Sequence, residues 1–204
     1  MRRRSLIVFA AIAVPGCATA PERTGVAFQL PHPMSSAQDI DQFYVAPHLQ
    51  PSQYETLIVT EPLFPVPIVD RELTFTPWKQ DLQTSLAQAL RTSGLFRHVV
   101  EGSAATITGK RTLLLESAIV EVDPGDRMVR WWFSEFGAGH SFIQVEGRIV
   151  DPEANDVLVQ FADRRRGAAV FDITGGDSEG LLREDLRGIA KGFAKALTGA
   201  LANR

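Results

Sequence analysis

Apolar and polar positions change their spacing several times along the chain, and each change predicts an element. Leu57-Ile58-Val59 is a continuous apolar run within Glu55 to Glu61, which predicts a strand covered on both faces. Trp78, Leu82, Leu86, Ala89 and Leu90 recur at helical steps, so a helix is expected between Thr76-Pro77 and Ser93-Gly94. Thr caps free amides, Pro suits the first turn, and Gly can take the left-handed conformation that ends a helix. A short strand is expected over Phe96 to Val100. Arg111 to Val122 then reads as a long strand. Strict alternation puts Leu113, Leu115, Ser117, Ile119 and Glu121 on one face and Leu114, Glu116, Ala118, Val120 and Val122 on the other. Glu116 and Glu121 are therefore expected on opposite faces.

Ser141 to Asp151 repeats the twofold period. Ile143, Val145, Gly147 and Ile149 point inward, with Gln144, Glu146 and Arg148 outward. Pro152 to Asp156 is a hairpin loop, and Val157 to Arg165 pairs back. Last, Leu182, Leu186, Ile189, Phe193, Leu197 and Leu201 step by three and four residues, a helix capped by Asp177 or Ser178. Gly188 and Gly192 weaken it by about 1 kcal/mol each relative to Ala, and close packing on the sheet is the expected compensation. This order predicts an α+β fold: a mixed, mostly antiparallel sheet of about five strands with two helices packed on one face. The other face is left to water, to the proline-rich segment or to a partner.

Upstream the pattern differs. Arg2, Arg3 and Arg4 precede the short uncharged run Leu6 to Val14, too short to span a bilayer and fitting a secretory signal over residues 1–16. Arg3-Arg4-Ser5-Leu6 also leaves twin-arginine export open. Val14-Pro15-Gly16-Cys17 contains the sole cysteine and resembles the lipobox of bacterial lipoproteins. The resemblance implies cleavage after Gly16, a diacylglycerol on the Cys17 sulfur and fatty acylation, of the palmitate kind, at the new amino terminus. Three chains hold a protein firmly, since each buried methylene contributes about 0.8 kcal/mol. Ala18, where no Asp stands, suggests by the same resemblance outer-membrane sorting with the domain facing the periplasm.

Residues 17–53 read as lipid anchor and flexible tether, because Pro21, Pro31, Pro33, Pro47 and Pro51 interrupt any helix or central strand. Such a tether would span roughly 30–35 Å. Ile40, Phe43, Tyr44 and Val45 are too apolar for a pure spacer, so they dock on the domain or await a partner. Residues 54–204 make one α/β domain, and a hydrophobic fraction of 45% suffices for its core. With no cysteine left after Cys17, packing alone must hold it. A net charge of −3 gives no reason to expect nucleic acid.

The chemistry-bearing stretch is Asp126 to His140. Arg130, Phe136-Gly137-Ala138-Gly139, Ser141 and Asp151 resemble a family of small bacterial lipoproteins, domain of unknown function 4410. Glu135 stands where that pattern has a Gly, and Pro152-Glu153-Ala154-Asn155 replaces its Thr-Gly turn. The resemblance implies fold and compartment, with no activity attached. The glycines lack the following helix of a dinucleotide loop and suit a bulge or tight bend. Arg127, Arg130, Trp131, Trp132, Phe133 and Phe136 are the candidate partner-binding residues, since Arg and Trp are frequent interface anchors. Arg164, Arg165 and Arg166 are a candidate contact for anionic lipid, although a solvated strand edge is the plainer reading.

No catalytic or metal residue is assigned, and no cofactor is expected. His32, His48, His98 and His140 have no zinc-site spacing, and Ser134, His140 and Asp126 would have to form a triad within one loop. The expectation is thus a non-enzymatic outer-membrane lipoprotein, held by lipid on Cys17, binding another envelope protein in assembly or transport. The alternative is a binder of a small ligand, lipid or glycan at the open sheet face.

Overall fold

Segments with twofold alternation lie side by side in the computed structural model, and the two segments of helical period cover one side of them. The residues described are 24–65, 76–106, 111–123, 142–166 and 178–203. They contain seven strands: β1 (Ser35–Ala37), β2 (Ile40–Val45), β3 (Thr56–Thr60), β4 (His98–Gly102), β5 (Thr112–Asp123), β6 (Phe142–Asp151) and β7 (Asp156–Arg166). The helices are α1 (Thr76–Ser93) and α2 (Ser178–Ala202), with short 3-10 turns at Pro51–Gln53 and Ala104–Thr106. Strand order in the single sheet is β1-β2-β7-β6-β5-β3-β4. The pairs β3–β4 and β3–β5 are parallel and the other four antiparallel, so the sheet is mixed as expected.

The core lies between the helices and one sheet face. Trp78, Leu82, Leu86 and Leu90 of α1 and Leu182, Leu186, Ile189, Phe193 and Leu197 of α2 are fully buried. They meet Leu57 and Val59, Leu113 and Leu115, Ile143, Val145 and Ile149 from the strands. Each such side chain contributes about 1.5–3 kcal/mol. The Phe161 ring packs on Phe193 at 4.3 Å and lies over Gly147, where an added Cβ would come within 2.3 Å of it. Gly147 is thus set by close packing. Gly94, at φ +67°, ends α1 as expected.

Three expectations are corrected. The sheet has seven strands, because the presumed tether supplies two of them. Phe43 pairs with Phe161 and Val45 with Val159, while Ile40, Phe43, Ala46 and Leu49 are buried. The prolines flank β2 without interrupting it, which is why a strand fits there. Glu116 and Glu121 share a face: a bulge between Ile119 and Glu121 shifts the phase, and the two residues stand opposite Arg148 and Gln144. Gly192 makes room for the β1–β2 turn, since a Cβ there would lie 2.3 Å from the Asp39 carbonyl, whereas a Cβ on Gly188 would meet nothing within 4 Å.

Candidate functional site

Cys17 and the aromatic stretch Arg127, Arg130, Trp131, Trp132, Phe133 and Phe136 lie outside the described residues, as do Ser134, His140 and Asp126. The arginine run is described, and it forms no joint cationic patch. Strand alternation sends neighbours to opposite faces. The Arg164 side chain is only 7% exposed, stands 4.1 Å over the Phe142 ring and lies 3.4 Å from Glu121. Arg165 turns to the helix side and donates to Asp163 at 2.7 Å. Arg166 alone is exposed. The expectation of a three-arginine lipid contact is corrected accordingly.

What the sheet does hold on its helix side is a clasp for the N-terminal hairpin. Asp163, 2% exposed, accepts from the Asp41 backbone N–H at 3.0 Å, and Asp41 in turn accepts from the Arg164 N–H at 3.0 Å. Arg165 also donates to the Asp39 carbonyl, and Lys195 of α2 pairs with the Asp39 carboxylate at 2.6 Å. Asp39 itself has φ +67°, the left-handed turn that reverses the chain between β1 and β2. Burial pushes the Asp163 carboxyl up to about 6, against the pull of Arg165. Asp185 on α2 is likewise pushed up to about 6 by burial, and its Oδ2 has no hydrogen-bond partner among the described residues.

The opposite face, expected open, is strapped by residues upstream of β1. Glu146, fully buried, accepts from the backbone N–H of Val26 at 3.1 Å and of Ala27 at 3.3 Å. Burial raises its pKa while these N–H groups hold it down. Gln160 accepts from His32 N–H at 2.9 Å, and the His32 ring stacks on Tyr44 at 4.2 Å. Phe28 packs on Ala118 and Val120, with the Arg148 guanidinium 5.2 Å from its ring. Arg148 also donates to Glu116 at 2.7 Å. Gln144, Glu146 and Arg148 do point away from the helices, but onto a strap in place of water. The alternation signal gives the face and not what covers it.

A groove of about 890 Å³ runs between the outer sides of α1 and α2. Arg187, Lys191 and Lys195 line one wall, Thr84 and Gln88 the other, and Ala89 and Ala194 contribute to its lining. The lining contains three cations and no carboxylate. At the far end of the molecule Tyr54 donates to Asp151 at 2.9 Å, and its phenol is pushed up to about 12, first by burial and then by that carboxylate. Among the described residues no group of His, Cys, Asp and Glu is placed to hold a metal ion. No helix among them is long and apolar enough to cross a membrane.

Residues 78–170 match the model of the family described as domain of unknown function (DUF4410). The resemblance drawn from Arg130 to Asp151 is borne out. No curated protein matches the chain. In fold, the DUF4410 segment and its flanks are similar to the chain described as "PelC dodecamer from Paraburkholderia phytofirmans". The TM-score is 0.50 at 13% identity, over 74% of this chain and 94% of that one. Looser likenesses are to protein XCC0632 from Xanthomonas campestris (TM-score 0.46, 15% identity, 78% and 93% covered). Lipoprotein GNA1162 from Neisseria meningitidis is looser still (TM-score 0.36, 15% identity, 74% and 99% covered).

Proposed function

We propose that the chain is an outer-membrane lipoprotein whose periplasm-facing α/β domain acts as a non-enzymatic binding or accessory module in envelope assembly or transport. The observation that carries this reading is the lipobox-like Val14-Pro15-Gly16-Cys17 placed only six residues, 18–23, before the strap. With the strap docked on Glu146 and Gln160, the free leash is short: seven Cα steps reach at most about 25 Å. Such a leash keeps the domain against the membrane surface, where an accessory protein would meet other envelope components. The alternative of a ligand on an open sheet face loses its support, because the strap occupies the middle of that face.

The test is Cys17→Ser in the native host. The variant is expected to remain an unprocessed precursor, to incorporate no labelled palmitate and to leave the outer-membrane fraction. A processed, membrane-held variant would sink the reading.

A further inference from the structure

We infer that the groove between α1 and α2 is a docking site for an acidic amphipathic helix of a partner protein. Arg187, Lys191 and Lys195 are exposed and lie four residues apart, so they form one row with cations about 6 Å from each other. Lys195 is held by Asp39. Arg187 and Lys191 have no carboxylate partner among the described residues, on a protein whose formal net charge is −3. A positive row on an otherwise acidic chain selects a negative occupant. Between the row and α1 the lining is of short side chains, Ser85, Ala89, Ala194 and Gly199, which allow a third helix to settle close into the seam. The row spans eight residues of α2, about 12 Å, so the complement is a helix of two to three turns with Asp or Glu four residues apart and an apolar stripe beside them.

Anionic lipid has the same charge, and geometry decides against it. The docking site rests on the anchored reading above in this respect. The chain enters on the sheet face opposite the helices, bonded to Glu146 of β6, the central strand of seven. The groove therefore faces away from the bilayer that would hold Cys17 and toward the compartment.

The test uses the full chain in its native host, with a photo-crosslinking amino acid at Gln88 or at Thr92, both exposed. The expected result is one protein adduct shared by both sites, mapping by mass spectrometry to a segment with an apolar helical stripe and acids four residues apart. A synthetic copy of that segment should bind the detergent-purified protein and weaken as salt rises. Arg187→Glu with Lys191→Glu should weaken it at least tenfold while leaving the thermal midpoint unchanged. Adducts only to lipid, only to a second copy of this chain, or none at all overturn the inference. So does a peptide that binds the double variant as well as it binds the wild type. Fractionation of the same cells reads out the anchor separately: silent probes on a correctly anchored protein remove the groove and leave the lipoprotein reading standing.

Discussion

On the helix side of the sheet, Leu57, Leu115, Ile143, Val145 and Phe161 are sealed by two amphipathic helices, carbon against carbon. On the other side, Glu146 and Gln160 are equally buried, yet what covers them is a strand-like strap held by backbone N–H groups donating to side-chain oxygens. The first face is closed by area, which is non-directional and tolerant of sequence detail. The second is closed by a few directed bonds to a carboxylate and an amide, each strong only if its partner is in place. One sheet thus carries a cover that should resist removal and a cover that depends on two side chains.

If that contrast is right, Phe193→Ala should be the most damaging change, because its ring meets both Phe161 and Phe43. A loss of about 4 kcal/mol is expected, seen as a lower urea midpoint for the whole domain. Next comes Glu146→Ala, with a loss of about 2 kcal/mol as two strap N–H groups lose their acceptor. Its signature differs: limited proteolysis should cut near residue 26 before the core unfolds, whereas cleavage spread over the whole chain would mean that the strap is not a separate unit.

A smaller effect of opposite sign is expected from Asp185→Asn. The folded pKa of Asp185 lies above its unfolded value of 3.8, at about 6, so the protonated form favours folding. The same holds for Asp163. That contribution is present below about pH 4 and is lost as pH rises through 6. The wild type should therefore be more stable at pH 5 than at pH 7.5, and Asp185→Asn should gain about 1 kcal/mol at pH 7.5, discounted for partial solvation. A midpoint for Asp185→Asn that does not rise at pH 7.5 would mean that the Asp185 charge is already compensated. Smallest of all, Glu116→Gln should cost about 0.5 kcal/mol, since the Glu116–Arg148 pair is partly exposed. A loss as large as that of Glu146→Ala would show that the strap is held through Arg148 instead.

The helix side was readable from the chain because its code is periodicity. The runs from Trp78 to Leu90 and Leu182 to Leu201 and the inward set Ile143, Val145 and Ile149 all fall where expected. The strap side was not, for three physical reasons. Prolines flanking Ile40–Val45 look like a linker although each lies outside the ladder. Gln144 and Glu146 alternate as solvent-facing residues do, and burial by backbone donors leaves no trace in the pattern. The bulge before Glu121 reverses every later residue of β5, and nothing in Ile119-Val120-Glu121 announces it. Arg164 and Arg165 show the same limit in charge: adjacent cations look like a patch until the pleat separates them.

The strap also orders events in time. Its bonds join residues 119 to 128 positions apart, and β2 waits for β7, so the first part of the chain to be exported finds its partners only when nearly the last has emerged. Closing so long a loop comes late in folding, after the local helix and hairpin contacts are made. The segment just downstream of Cys17 is therefore expected to stay unengaged throughout export, extended and open to modifying enzymes. It then shortens into a docked strap once α2 is in place, so that finishing the fold and drawing the domain toward its anchor become a single step.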